Sequence, residues 1–278
     1  MAISLTQQEK LILKTVNIPP RPQALLQFSE EAKLPEPNIT KISEILQSDV
    51  AISAAILQVV NSAAFRRSRE IDSIEQAVMI LGLKRLIPLV KAVALKSSVD
   101  LPAALSDFWE TQSDIGQHAS LICNRLNRPA LANHAYMLGL FHGVGIPILC
   151  QHFDDYQNVL DKAQTDGWTE ASQFEFARYH TSHGTIGALL AQQWRLPKIV
   201  INVIYYQHDV DGILTSGELD NIGNDLLSIL KIARHKSYLA TTPVSEQNPE
   251  WQVIKDDVMD YLDISDEELD ELWGESSE

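Results

Sequence analysis

Eight histidines, His118, His134, His142, His152, His180, His183, His208 and His235, are the residues of this sequence best suited to metal or proton chemistry. Imidazole is a common ligand for divalent metals. A metal centre, however, needs three or more converging ligands, as a rule with carboxylates among them. His180-Thr-Ser-His183 is an i,i+3 pair that can face one way on a helix, with no acid adjacent. The other reading puts His180 near a helix start and packs His183 beside Tyr179 or Ile186. His118 shares a helical face with Ile115 and Ile122, which reads as a hydrogen-bonded core histidine. In Phe141-His142-Gly143-Val144-Gly145 a histidine ends an apolar helix at a glycine turn. An active-site reading sets His142 at an interface between lobes. A structural one lets its imidazole meet the last unbonded carbonyls of the helix.

Other chemistries have less support. No HExxH, GxSxG, GxxxxGKS/T or GxGxxG pattern occurs. Cys123 and Cys150 lie in apolar helical contexts, typical of inert buried thiols, and cannot by themselves build a disulfide framework or a thiolate zinc site. The cluster Arg66-Arg67-Ser68-Arg69 could grip a phosphate, an acidic partner or the chain's own acidic end, or simply form a solvated loop.

These side chains must be positioned by helices. Asn38 caps a segment with Ile39, Ile42, Ile45 and Leu46 on one face. An almost uniformly apolar stretch follows from Asp49 to Val60. Ser73 and Gln76 form a capping box before Ile74, Ala77, Val78 and Leu81, with Gly82 as a C-terminal cap. Leu83 to Lys96 is a further helix containing Pro88, which lacks a backbone donor. From Ser106 a second set begins, with Ile115, Ala119, Ile122 and Leu126 on one face, then a helix from Leu131 to His142. Helices near 154–165, 170–179, 182–194 and 197–208 follow, and after a loop over 209–223 another runs to about Ala240. Beyond a linker lie a short helix around Trp251–Leu262 and a capping box, Ser265 with Glu268, before Leu269, Leu272 and Trp273. No sustained apolar–polar alternation bounded by hairpin turns appears. The expected fold is all-α: an N-terminal helical lobe over 1–105, a second lobe over 106–240, and a linker and acidic tail over 241–278.

Composition narrows the function classes. The 278 residues carry 37 Asp and Glu against 22 Lys and Arg, a net charge of −15. Eleven of those acids fall in the 23 residues after Lys255, the last base, so the preceding body is nearly neutral. A chain this acidic is poorly suited to nucleic acid and to an anionic membrane surface. The N-terminus lacks the basic start and unbroken apolar core of a secretory signal. The apolar tract Val78–Leu95 is interrupted by Lys84, Arg85 and Lys91, so no membrane span is expected. The expected location is the cytoplasm. The acidic end could recognise a partner through Leu269, Leu272 and Trp273, or serve as a frayed, solubilising terminus.

Several blocks, taken in order, resemble the HDOD proteins, a helical bacterial signalling module related to the HD-domain metal-dependent phosphohydrolases. They are Ile18-Pro19-Pro20-Arg21-Pro22, the Asp49-Val50 helix start, Val59-Val60-Asn61-Ser62-Ala63-Ala64-Phe65, the run Ser73 to Leu86 with its Leu81-Gly82, Phe108-Trp109, Gly184 to Leu190, and Trp194-Arg195-Leu196-Pro197. The resemblance covers about residues 18–240 and implies an HD-like helical bundle for the second lobe. A catalytic HD site holds one or two metals with a first His, a His-Asp pair and a distal Asp. By the resemblance those positions fall here at Thr111, His142-Gly143 and Arg234, so that His142, His183 and His208 remain while Thr111, Gly143 and Arg234 mark lost ligands. The resemblance therefore implies a degenerate metal site with no catalytic residues, no metal and no cofactor, in a signalling scaffold that binds a partner protein. The alternatives are a sensor that binds a nucleotide without cleaving it, and a phosphohydrolase or phosphodiesterase with a site rebuilt around the three histidines.

Overall fold

The computed structural model describes residues 6–61, 71–241 and 248–272. Among them every regular element is helical, and no helix is long and apolar enough to cross a membrane. The contacts divide the chain into two units: Pro19–Asp100, and Met1–Ile18 together with Leu101–Glu278.

The Pro19–Asp100 unit holds α2 (Gln23–Glu31), α3 (Ile39–Gln47), α4 (Val50–Val60) and α5 (Ile74–Ser98). Local sequence dictates their starts. Asn38 Oδ1 accepts the Lys41 amide at 3.0 Å, and Ser73 Oγ accepts that of Gln76 at 3.2 Å. Each satisfies a donor that the first helical turn leaves without a partner. Leu25, Phe28, Ile42, Leu46, Ile56, Leu86 and Leu95 fill the core. The expected cap at Gly82 is an interruption: at φ 67° and ψ 161° this residue breaks α5 into two helical stretches. The Asn61 side chain grips both the amide and the carbonyl of Ile71 at 2.8 Å. The Arg66-Arg67-Ser68-Arg69 cluster lies outside the described residues.

The other unit holds α1 (Gln7–Ile12), α6 (Phe108–Arg125), α7 (Ala132–Phe141), α8 (Gly145–His152), α9 (Gln157–Asp166), α10 (Trp168–Tyr179), α11 (His183–Gln193), α12 (Lys198–Tyr206), α13 (Asn221–Thr241), α14 (Pro249–Leu262) and α15 (Asp266–Leu272). Residues 6–18, grouped with the first lobe in the sequence reading, fall with this unit. Two glycines set its geometry. A Cβ on Gly139 would lie 2.4 Å from Gly116 Cα, so α6 and α7 meet backbone to backbone. A Cβ on Gly145 would lie 2.0 Å from the His183 carbonyl oxygen, which brings the start of α8 against the start of α11. That second contact draws the His142 turn towards His183.

The acidic end is not frayed over its described part. Trp251, Ile254, Val258 and Leu262 of α14 are buried, as are Leu269 and Leu272 of α15. Arg125 of α6 donates to the carbonyls of Glu271 and Leu272 at 2.9 and 2.6 Å. The apolar stripe expected to meet a partner is thus covered by the protein itself as far as Leu272, because amphipathic helices bury their apolar face wherever one is within reach. Trp273 lies outside the described residues.

Candidate functional site

A cavity of about 290 Å³ inside the pocket-bearing unit is lined by Thr111, Gln112, His142, Gly143, Trp168, His183, His208 and Arg234, among others. All six positions singled out from the sequence therefore meet at one place, contributed by α6, the α7–α8 turn, α11, the end of α12, and α13.

Each element presents its residue for a local reason. His142 caps the C-terminus of α7, and its backbone is held by Gln207 Nε2, which donates to the His142 carbonyl at 2.8 Å. Ser182 caps α11 by accepting the Thr185 amide, so His183 is the first residue of that helix. Arg234 stands one turn after Lys231 on the same face of α13. Asn248 Oδ1 accepts the amides of Glu250 and Trp251 at 3.1 and 3.2 Å, which starts α14 and sets Glu250 in its first turn.

A chain of buried polar contacts runs behind the cavity. Tyr156 donates its hydroxyl to Glu175 Oε1. Glu175 Oε2 accepts the His183 amide at 3.0 Å and lies 2.8 Å from His183 Nδ1. His183 Nε2 lies 2.8 Å from His208 Nε2, and His208 Nδ1 lies 3.3 Å from Glu250 Oε1. Lys231 touches Glu250 Oε1, and Arg234 reaches both carboxylate oxygens at 3.1 and 2.8 Å. The three contacts along Glu175–His183–His208–Glu250 need three protons, one more than two neutral imidazoles supply. All four ring nitrogens of His183 and His208 are committed within this chain.

Burial and charge tune the groups. Burial pushes His142 down to about 3, helped by the nearby Arg234 cation. Its Nδ1 lies 2.7 Å from the Gly139 carbonyl, so the neutral ring carries its proton there and keeps Nε2 as an acceptor. Burial also holds His208 well below its ordinary value, against the opposing Glu250 charge. Burial alone would raise Glu250, but Arg234, Lys231 and His208 outweigh it and hold the carboxyl well below the usual range.

The positions read as lost ligands are refilled by other chemistry. The Thr111 hydroxyl turns back to the Asp107 carbonyl at 3.2 Å. A Cβ on Gly143 would meet the Gln112 amide at 3.1 to 3.3 Å, so this neutral amide lies beside the space that a side chain at 143 would take. Arg234 is paired with Glu250. Two carboxylates backing two histidines resemble the outer shell of many metal sites. The donor set nevertheless does not fit a metal, since the imidazole nitrogens face each other and a guanidinium stands at the distal position. Among the described residues no three His, Cys, Asp or Glu side chains converge on a point.

The other candidates lie elsewhere. His180 ends α10 in a left-handed conformation (φ 56°) and is exposed, so it shares no helix with the buried His183. His118 is half-buried and sits 3.3 Å from Asp114, at the edge of the α6 face whose Ile115 and Ile122 are buried. His235 stacks on Trp251 at 4.8 Å, and His152 meets Thr15 at 3.3 Å. Burial pushes the Cys123 thiol up to about 12 and raises that of Cys150, which disfavours the nucleophilic thiolate. Glu175, Glu250, Gln112 and Trp168 were not singled out from the sequence. Only Glu250 carried a signal: Asn-Pro-Glu is a helix start, with a capping Asn, Pro in the first turn and an acid at the positive end.

The HDOD domain model matches residues 18–210. The chain belongs to the HDOD family. An uncharacterized protein of Treponema pallidum is 28% identical over 198 residues, which cover 70% of this chain and 38% of that protein. The chain spans well under half the length of the curated relatives it matches. Among solved structures, a Shewanella amazonensis protein provisionally named a phosphohydrolase is 22% identical, with a TM-score of 0.67 over 95% of this chain and 97% of that one. A Marinobacter aquaeolei protein provisionally named a signal transduction protein is 19% identical, with a TM-score of 0.63 over 99% of this chain and 62% of the other. Likeness at these identities is a likeness of fold, and this chain has the all-α HDOD fold.

Proposed function

We propose that this HDOD protein is a non-catalytic signal-transduction protein that acts by binding a partner protein, its HD-type pocket closed to metal chemistry by its own side chains. The observation that carries the reading is the Arg234–Glu250 pair, with contacts of 2.8 and 3.1 Å, at the position that the family resemblance gives to a metal-binding carboxylate. A cation there repels a metal, and Glu250 is held by three basic neighbours rather than offered to one. The mutual commitment of His183 and His208 supports the same reading. The test is metal content after loading with manganese or iron and desalting, with a phosphodiester hydrolysis assay alongside. The expected result is retained metal far below one per chain and no turnover above buffer. One or two retained metals per chain, with turnover lost in His142→Ala or His183→Ala, would overturn the proposal. That outcome would favour the second reading, a phosphohydrolase whose carboxylate-backed histidines rearrange to ligate.

A further inference from the structure

We propose that the 290 Å³ cavity is a binding site for a small, neutral, planar molecule bearing an amide-type N–H beside a carbonyl, the lactam and ureide class to which nucleobases belong. The proposal rests on the non-catalytic reading in one respect: no metal takes up the space. It begins with Gln112. This side chain is 5% exposed, and its amide oxygen is buried with no hydrogen-bond partner among the described residues. An acceptor left in this condition is unfavourable and calls for an explanation. A Cβ at 143 would crowd this amide at 3.1 to 3.3 Å, so the glycine spares it a side-chain neighbour on that side. His142, neutral and with its Nδ1–H donating to the Gly139 carbonyl, adds Nε2 as a second acceptor among the lining residues. A ligand here must therefore bring hydrogen-bond donors.

Arg234 supplies the complementary half. Two of its N–H groups are directed at Glu250, and a guanidinium has five, so donors remain for a ligand carbonyl. Counted together, the Lys231 and Arg234 cations stand against the Glu250 and Glu175 carboxylates of the same polar chain, so the site asks for dipoles rather than for a net anion. Trp168, Ile115 and Ile146 form apolar walls suited to a flat ring. The volume lies at the small end of ligand cavities, which start near about 300 Å³, so it holds a single ring system and not a full nucleotide.

The test titrates the intact 278-residue chain with uracil, hypoxanthine and hydantoin by calorimetry, with inorganic phosphate as the anionic arm. Selectively ¹⁵N-labelled glutamine side chains are followed by NMR in parallel. Saturable 1:1 binding of at least one lactam is expected, with a moving Gln112 amide resonance and an affinity about tenfold or more weaker in Gln112→Met. The NMR arm uses the unaltered protein, so the test stands even if that variant does not fold. The proposal is overturned by no saturable binding up to about 10 mM, beyond which a ring of this size is not held specifically. Lactam binding that leaves the Gln112 resonance still, or phosphate binding in preference to every lactam, overturns it as well. Metal-free, inactive protein that binds no lactam defeats this inference alone, whereas retained metal with turnover defeats the non-catalytic reading beneath it.

Discussion

Two lysines are buried, one in each unit, and their surroundings differ in kind. Lys91 on α5 is 9% exposed; burial, with Lys33 and Arg21 adding like charge, pushes it down to about 8. Lys231 on α13 is 3% exposed; burial lowers it too, but the Glu250 carboxylate from α14 opposes the shift and touches its ammonium. One unit thus buries an ammonium that is driven towards neutrality. The other buries cations with an anion brought from a distant element, inside a continuous polar chain. A buried charge with a counter-ion and hydrogen bonds keeps its ionised form and a defined geometry, whereas a desolvated one mainly costs stability. The buried cations behind the cavity are thus tied into a continuous polar chain that ends on Glu250.

The two units can be read separately, because Trp109, Trp168, Trp194, Trp251 and Trp273 are the protein's five tryptophans and none falls within 19–100. Tryptophan fluorescence follows the pocket unit, and far-ultraviolet circular dichroism follows both. The largest expected effect is that of Glu250→Ala, which leaves Lys231, Arg234 and His208 without their anion. It should cost about 3–5 kcal/mol in urea unfolding followed by fluorescence; a loss below about 1 kcal/mol would break the contrast between the units. Next comes Lys91→Met. The lysine's depression from 10.5 to about 8 makes its ammonium cost roughly 3 kcal/mol at pH 7. The variant should gain up to that amount in the transition reported by circular dichroism alone. Because an unfolded lysine binds more protons than the native one between about pH 8 and 10.5, the wild type gains stability across that window and the advantage of the variant should shrink.

A smaller effect is expected on acidification. His142 is depressed from 6.5 to about 3, so the unfolded chain takes up protons that the native one refuses, and stability falls as pH drops through that window. At pH 5 His142 alone should cost about 2 kcal/mol in the fluorescence transition, and a flat profile between pH 7 and 5 would contradict the buried neutral imidazole. The smallest effect is that of Asn38→Ala, which removes the cap of α3. It should cost about 1 kcal/mol, seen by circular dichroism and absent from the tryptophan transition. If it shifts the fluorescence midpoint equally, the two units do not unfold independently.

How much was legible in the sequence follows the range of the interactions involved. Helix starts at Asn38, Ser73, Ser182 and Ser265 are written within three residues, and each forms its cap; Glu268 returns to the Ser265 amide at 2.8 Å. The resemblance brought Thr111, His142, Gly143, His183, His208 and Arg234 into one site, and all six line the cavity. The state of those residues was not legible. Spacing on one helix cannot tell that His180, itself left-handed, ends one helix exposed while His183 starts the next one buried, three positions later. Nor does composition mark Glu175 among 37 acids as the one fully buried against His183.

The helical class and most element boundaries could be read from the residues, because capping and periodicity are local properties, whereas the loss of two carboxylates at 143 and 234 is what the family resemblance implies. The tertiary structure decided what replaced them. Glu250 lies 16 residues from Arg234, Gln112 enters the space beside Gly143 from another helix, and His183 meets His208 across 25 residues. Such pairings depend on how helices pack, and packing follows shape and burial summed over the whole unit. The acidic end shows the same division. Its charge was plain from composition, but only the fold reveals that the carboxylate at its head, Glu250, closes the polar chain behind the cavity.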